Sequence, residues 1–160
     1  MDSPDRRRFN ASEAEFTALC EFVEERCAAL RNDERQRVLL LVEELFTNSI
    51  NHGYGGDSSE PVWLTLTLTD TACQIVYEDC APAHNPFEAP DLGLDEMKLD
   101  DRRIGGLGIV LLSEFSFERG YEREDGRNVI KLQVRRAFGK RLELAERAGK
   151  GSPAGEKSSP

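Results

Sequence analysis

The first third of the chain carries two helix-like patterns of apolar residues. Between residues 13 and 31 apolar side chains recur every three or four positions, and Ser12 precedes them as a candidate N-cap, which predicts an amphipathic helix. A second helix is predicted from about residue 33 to about residue 52, where the glycines of "HGYGG" end it. The apolar arc of this second helix consists of Val38, Val42, Leu45 and Phe46.

Patterns typical of strands follow the second helix. "VWLTLTLTD" (residues 62–70) alternates apolar and polar positions, and "ACQIVYED" (residues 72–79) is rich in β-forming residues, with a tight turn between the two. An irregular stretch over residues 80–104 and a helix over residues 106–115 are predicted next. Two more strands, "FSFERGYERED" and "RNVIKLQVRR", are joined at Asp125-Gly126. This order predicts an α/β fold of the α+β, two-layer sandwich kind, with helices on one face of a mixed or antiparallel sheet.

Size and charge narrow the functional classes. The 160 residues suit one domain that buries a core without metal or disulfide support. The net charge is -9, and because residues 137–160 carry five basic and three acidic side chains (+2), residues 1–136 carry -11. Nucleic acid is therefore not an expected partner, since its phosphates require a basic surface. No run approaches the ~20 apolar residues of a membrane span, so no membrane is expected either.

The N-terminus and the cysteines bear on the compartment. "MDSPDRRRFN" lacks the apolar stretch of a signal peptide, so a cytoplasmic protein is expected. The four cysteines fall in two pairs with a spacing of seven residues, Cys20 with Cys27 and Cys73 with Cys80. This spacing matches neither a redox motif nor a zinc site, and ordinary buried or incidental thiols are expected.

A polar stripe interrupts the second helix near its end. At 100° per residue, Glu44, Asn48 and Asn51 fall within a sector of about 60°, opposite the apolar arc. The stripe is compatible with the solvated side of any amphipathic helix. However, asparagine is a poor interior helix former, and two amides with a carboxylate are suitable oxygen ligands for Mg²⁺.

Two further positions suggest a ligand. Asp79 ends an apolar strand, where it either forms a turn or accepts a hydrogen bond from an amino group of a ligand. Gly105, Gly106 and Gly108 open a predicted helix, where they either form an ordinary turn or expose backbone N–H groups to an anion.

Taken in order, these three segments resemble the N box, G1 box and G2 box of the GHKL ATPase/kinase superfamily, which has the Bergerat-type ATP-binding fold. "EELFTNSINHGYG" follows the pattern E-x-x-x-N-x-x-x-H-G, and "RRIGGLGIVLL" resembles the segment from lid to helix. The resemblance is greatest to the small serine kinases that act as anti-sigma factors in bacterial partner switching. It covers residues 10–136, which leaves residues 1–9 as an N-terminal extension and residues 137–160 as a C-terminal helix or tail, partly disordered over residues 149–160.

The resemblance implies a role for each motif residue. Asn48 would hold Mg²⁺ on the triphosphate, Glu44 would act as general base or position a water, and Asp79 would bond the adenine amino group. The other residues assigned to the ATP site are Asn51, His52, Ala81, Arg103, Gly105, Gly106, Leu107 and Gly108. The G1 box departs from the family's D-x-G pattern, and Ala81 would narrow the room beside adenine if its position needs a positive φ.

Several residues near the motifs have two interpretations. Arg102 and Arg103 either approach the γ-phosphate or form a solvated loop pair, and His52 is expected to support its neighbours or make a core hydrogen bond rather than catalyse. His84 is expected to be exposed. "EAPDLGLDEMKLDD" carries six acidic residues and one lysine, a net charge of -5, and is either an acidic solvated lid or a docking surface for a basic helix of a sigma factor.

The resemblance also implies a pathway. The expected partners are a STAS-domain anti-sigma factor antagonist as phosphate acceptor, a sigma factor, and a PP2C-type phosphatase that reverses the modification; a homodimer is left open. Two alternatives remain. One is a non-catalytic binder whose nucleotide shapes a sigma-binding surface. The other is the catalytic domain of a histidine kinase, which is disfavoured because the helices before the first hairpin offer no dimerisation segment with a phosphoacceptor histidine.

Overall fold

One antiparallel sheet of five strands, in the order β1-β2-β3-β5-β4, organises the part of the chain that the structure describes. This structure is a computed structural model, and it describes residues 5–88 and 115–137. The strands are β1 (Arg6–Asn10), β2 (Pro61–Leu68), β3 (Ala72–Asp79), β4 (Glu118–Glu124) and β5 (Arg127–Arg135). The helices are α1 (Phe16–Arg26) and α2 (Asn32–Asn48). The predicted α+β class is confirmed, with the sheet antiparallel rather than mixed.

The two helices form the layer that covers one face of the sheet. The α2 helix packs against β3 and β5, and α1 packs against α2. The four residues of the predicted apolar arc on α2 are all buried. They meet the alternate residues of the strands that point toward the helices, among them Leu64, Leu66, Ile75, Leu132 and Val134, in one hydrophobic core.

Both helices begin close to their predicted positions. The Ser12 hydroxyl accepts a hydrogen bond from the Ala14 N–H at 3.3 Å, and a short 3₁₀ turn over Glu13–Glu15 leads into α1. The α1 helix ends at Arg26, five residues before the predicted end at residue 31, because the chain turns from Cys27 onward. At the start of α2, the buried Glu34 carboxylate accepts the Arg31 N–H at 3.0 Å.

The strand β1 was not predicted, and it places residues 6–9, predicted to be an N-terminal extension, within the sheet. Its one buried side chain is Phe9, whose ring meets that of Phe22 edge-on. On the other face of the sheet, Glu78 pairs with both Arg6 and Arg127 at 3.0 Å. These contacts hold β1 in the sheet. The strand could not be predicted because its three arginines lack the alternation of apolar and polar residues that is typical of a strand.

The turn between β4 and β5 matches its prediction. Asp125 has φ 49° and Gly126 has φ 77°, the two positive values that a type I′ hairpin turn requires. The strand β4 begins at Glu118, three residues after the start of the predicted strand pattern. Of the predicted helix over residues 106–115 only Phe115 is described, as a helical residue packed against the core. The tail after residue 137 lies outside the described residues.

Candidate functional site

The site is built around the end of α2, where the helix changes its winding. After Asn48 the chain continues as a π-helical turn over Ser49–Gly53 instead of stopping. A π turn closes i→i+5 hydrogen bonds and therefore holds more residues per turn than an α-helix. It carries Asn48, Ser49, His52 and Gly53 to the wall of one cavity of about 270 Å³.

The opposite wall of this cavity comes from the end of β3, the residues after it and β5. The cavity is of the size that encloses a ring system rather than a whole nucleotide, because pockets for drug-sized ligands usually occupy about 300–1,000 Å³. The lining residues on this side are Asp79, Ala81, Pro82, Ala83, His84, Pro86, Asn128 and Ile130, and Leu45 of α2 completes the cavity.

Asp79 is the buried charged group of the cavity, with only 5 % of its surface exposed. One carboxylate oxygen, Oδ1, accepts the side-chain N–H of Asn128 at 2.7 Å and the backbone N–H of Ala81 at 3.1 Å. The other oxygen, Oδ2, accepts the Ser49 hydroxyl at 2.5 Å. Three donors therefore hold the carboxylate in place and offset the cost of burying its charge.

The direction of the hydrogen bonds behind Asp79 follows from this arrangement. Since a carboxylate only accepts, the Ser49 hydroxyl must donate to Asp79, and the Tyr77 hydroxyl at 2.7 Å must donate to Ser49. Burial raises the pKa of Tyr77, so its phenol keeps its proton at neutral pH. Burial also raises the pKa of Tyr54 to about 12, and its hydroxyl accepts the Cys80 N–H at 2.8 Å.

The hydrogen bonds from residues 5–88 and 115–137 leave one acceptor position of the Asp79 carboxylate unfilled. A carboxylate offers about four lone-pair positions, and the described residues fill two on Oδ1 and one on Oδ2. The remaining position is on Oδ2 of a residue that lines the cavity. A ligand satisfies it by offering one N–H, as an exocyclic amino group on a ring does.

Comparison with protein families agrees with this geometry. A family model described as "Histidine kinase-like ATPase domain" matches residues 9–134. The chain belongs to the histidine kinase-like ATPase family. Membership implies ATP binding and kinase-type or ATPase chemistry. A search of curated proteins found no match.

The ATPase domain brings four of the predicted site residues together at the cavity. Asn48, His52, Asp79 and Ala81 all line it. His52 is exposed at the cavity, which does not fit a core hydrogen bond, one of the two roles expected for it from the sequence. The side chains of Asn48 and His52 form no hydrogen bond with any other described residue, which leaves their polar atoms available to a ligand.

Two predicted residues of the helix lie outside this cavity. Glu44 is half-buried one turn before Asn48, on the same side of α2. Asn51 is exposed and lines a second cavity together with Thr47 and Ile50. The polar stripe predicted from 100° per residue therefore does not persist, because the π turn rotates Asn51 away and brings His52 to the side of Asn48.

The residues predicted to form a lid lie outside the described part of the chain. The assignments to Arg103, Gly105, Gly106, Leu107 and Gly108, and the alternatives for Arg102, lie outside residues 5–88 and 115–137. They stay predictions. The same holds for most of the acidic segment, of which only Glu88 is described.

Three buried polar residues of the site were not singled out from the sequence: Ser49, Tyr77 and Asn128. Asn128 had a signal that could have revealed it. In β5 the residues that alternate with it toward the helices, Ile130, Leu132 and Val134, are all buried and apolar. An asparagine at one of these buried, helix-facing positions requires a buried hydrogen-bond partner, which indicates a polar site at this end of the strand.

Ala81 fits its position in the G1 box without strain. Among the described residues other than glycine, only Asp125 has a positive φ, so the backbone at residue 81 does not require glycine. The Ala81 methyl group instead packs where Gly53 lacks a side chain: a Cβ atom at residue 53 would lie 2.8 Å from the Ala81 Cβ. The two small residues are complementary.

We expect Gly53→Ala to lower the free energy of unfolding by about 1–3 kcal/mol, because the added methyl overlaps that of Ala81. Denaturant unfolding measures the change. The matched control is Gly120→Ala, since a Cβ there meets no atom within 4 Å. Adding Ala81→Gly to the variant should restore part of the lost stability. An unchanged unfolding midpoint for Gly53→Ala would contradict the close approach.

A metal ion is not held by protein carboxylates alone in the described part of the site. Residues 5–88 and 115–137 contain no cluster of three or more histidine, cysteine or acidic side chains that could bind one. The amide oxygen of Asn48 is an available hard ligand at the cavity. A single protein ligand fits a cation that takes its other ligands from phosphate oxygens and water.

Among residues 5–88 and 115–137, none of the helices has the length and apolar character that a membrane span requires.

Proposed function

We propose that this chain is an ATP-dependent protein serine/threonine kinase that acts as a cytoplasmic anti-sigma factor and phosphorylates a STAS-domain antagonist. One observation carries the nucleotide part of the proposal: Asp79 is buried at the cavity wall with one acceptor position that no described residue fills. The 6-amino group of adenine supplies one N–H at such a position. Guanine and hypoxanthine present a carbonyl oxygen there, which would face the carboxylate and be repelled.

The phosphates would extend from the base toward Asn48. This residue lines the same cavity as Asp79 but comes from α2 rather than β3. Its amide oxygen would be a ligand of Mg²⁺, which neutralises charge on the triphosphate during phosphoryl transfer. Glu44, one turn earlier on the same side of α2, would then lie near the end of the triphosphate.

The transfer step requires little covalent chemistry from the protein. The hydroxyl oxygen of a serine or threonine forms a bond to the γ-phosphorus while the bond from that phosphorus to the β–γ bridging oxygen breaks. ADP leaves, and the hydroxyl proton moves to the Glu44 carboxylate. No described residue forms a hydrogen bond with the Glu44 side chain, so this carboxylate is available to act as a base.

The experiment is phosphate transfer to a protein partner. Proteins co-purified with the chain from its own cells are identified by mass spectrometry, and a STAS-domain partner is then incubated with the chain, Mg²⁺ and ATP labelled at the γ-phosphate. The expected product is phosphoserine or phosphothreonine on the partner. Phosphohistidine, or label retained entirely in ATP and free phosphate, would contradict the kinase proposal.

A second candidate is a binder whose shape responds to nucleotide without phosphate transfer. The observation that favours it is the position of Glu44, which does not line the cavity that holds Asp79 and Asn48. In this case ATP would alter the affinity for a sigma factor, and no labelled partner would form. A PP2C-type phosphatase would then have no phosphorylated substrate in the pathway.

We expect Asn48→Ala to weaken ATP binding much more in Mg²⁺ than in EDTA, because the lost amide acts through the metal ion. Calorimetry in the two buffers gives both affinities. Thr47→Ala is a matched control, because Thr47 precedes Asn48 on α2 but faces the second cavity. Equal losses in the two buffers would show that Asn48 contacts the nucleotide directly or only supports the fold.

A further inference from the structure

The amide of Asn128 is held in one orientation by groups on every side. Its Nδ2 faces three acceptors: Asp79 Oδ1 at 2.7 Å and the backbone carbonyl oxygens of Ala81 at 3.2 Å and Pro82 at 3.1 Å. A rotation of the amide by 180° would place its oxygen against these three oxygens. The orientation of Asn128 is therefore fixed by its surroundings.

The other end of the amide faces only donors. Asn128 Oδ1 accepts the Tyr121 hydroxyl at 2.8 Å, the Arg123 guanidinium at 3.0 Å and the backbone N–H of His84 at 3.1 Å. Tyr121 and Arg123 belong to the edge strand β4, and neither lines the cavity. Arg123 also donates to the Ala81 carbonyl at 2.7 Å, which ties the residues after β3 to the same network.

This network decides which part of Asp79 remains free. Asn128 and the Ala81 N–H fill Oδ1, so that the open position is on Oδ2 beside Ser49. If Asn128 did not donate, only the Ala81 N–H and the Ser49 hydroxyl would hold the carboxylate. A second acceptor position would open on Oδ1, and the carboxylate could turn more readily about its soft terminal torsion, so that the position on Oδ2 would be less well defined relative to the cavity.

We propose that Asn128, oriented by Tyr121 and Arg123, is the positioning residue that gives the site its preference for a 6-amino purine over a 6-oxo purine. The inference rests on the proposed binding of adenine nucleotide at Asp79. It adds a specificity role for a strand residue and for two side chains on β4 that do not reach the cavity. The matched ligands are ATP and ITP, because hypoxanthine replaces the adenine amino group with a carbonyl.

Asn128→Asp tests the role without a change of shape. It places a second carboxylate against Asp79, and two adjacent carboxylates retain one proton to a higher pH than either alone. While that proton is bound it replaces the lost amide N–H. Once it leaves, the two carboxylates repel each other. The charged or titratable side chains around the pair are Arg123 and Tyr121 on β4, Tyr77 on β3, Tyr54 and Cys80. The hydrogen bond from His84 comes from its backbone N–H.

The expected result is a pH profile that wild-type protein lacks. At about pH 5 the variant should prefer ATP over ITP nearly as strongly as wild type does, and at about pH 8 its preference should be lower by at least about 10-fold. Changes in the protonation of His52 or of the phosphates affect the binding of ATP and ITP equally. They therefore cancel in the ratio of the two affinities. Asn85→Asp is the control for added charge, because Asn85 lies in the loop after β3 and outside the cavity lining.

A second variant keeps the test decisive if Asn128→Asp does not fold. Tyr121→Phe combined with Arg123→Met removes two of the three donors to Oδ1 and no cavity-lining residue, and should reduce the ATP preference several-fold. Wild-type preference in the double variant, or a flat pH profile at the wild-type ratio in Asn128→Asp, overturns the positioning role alone. Wild-type protein that binds neither nucleotide overturns the proposed function, and this inference with it.

Discussion

The variant Glu44→Gln is expected to bind ATP within a few-fold of wild type and to transfer phosphate roughly 10²-fold more slowly or worse, the usual effect of losing a positioned base. Glu44 does not line the cavity that contains Asp79, which is why nucleotide affinity should survive. The change from carboxylate to amide keeps the shape of the side chain. Transfer of labelled γ-phosphate to the STAS-domain partner and ATP affinity are measured for both proteins.

Glu43 provides the matched control for this experiment. It is the preceding residue on α2, is half-buried like Glu44, and accepts the Cys20 thiol at 3.6 Å. Glu43→Gln should transfer phosphate at close to the wild-type rate. If Glu44→Gln also transfers at the wild-type rate, another group accepts the proton. If wild-type protein binds both ATP and the partner but transfers nothing, the nucleotide-gated binder becomes the better account.

The variant Asp79→Asn is expected to lose most of the preference for adenine, with ATP affinity reduced by about 10–100-fold and ITP affinity unchanged or higher. The new amide should keep its oxygen at the Oδ1 position, because Asn128 and the Ala81 N–H both donate there. Its NH₂ group then occupies the Oδ2 position and opposes the adenine amino group, whereas it can donate to the carbonyl of hypoxanthine.

Competition between ATP and ITP, measured by calorimetry, gives both affinities of this variant. Glu78→Gln is the matched control, since Glu78 precedes Asp79 on β3 but pairs with Arg6 and Arg127 on the other face of the sheet. It should leave the ATP-to-ITP ratio unchanged while it weakens the attachment of β1. An unchanged ratio in Asp79→Asn would mean that Asp79 only closes the turn after β3, the simpler interpretation of a strand-terminal aspartate.

Local sequence patterns determined much of this fold. Three features depend only on residues that are close in sequence: the apolar arc of α2, the alternation in β2 and β5, and the Asp125-Gly126 turn. They can therefore be predicted without knowing which other elements they contact. The motif from Glu44 to Gly53 is equally local, and its resemblance to the N box of the GHKL superfamily implies a nucleotide site. Family membership over residues 9–134 agrees with that indication.

Tertiary structure decided the features that depend on distant parts of the chain. The strand β1 exists because its backbone pairs with β2 and because Glu78, far along the chain, binds Arg6. Its local sequence is three arginines, one buried phenylalanine and one asparagine, which do not specify a strand.

The site depends on the same kind of long-range contact. The π turn moves Asn51 to the second cavity and His52 to the first, which a fixed helical angle could not show. Asp79 was identifiable from its motif, but its hydrogen-bond partners come from the π turn after α2, from the residues after β3 and from β5. The sequence by itself therefore determined the two helices, four of the five strands and four of the residues that line the cavity. Only the folded chain decided which of their atoms remain unpaired, because hydrogen bonds between residues 30 to 49 positions apart form only once the helices and the sheet have packed together.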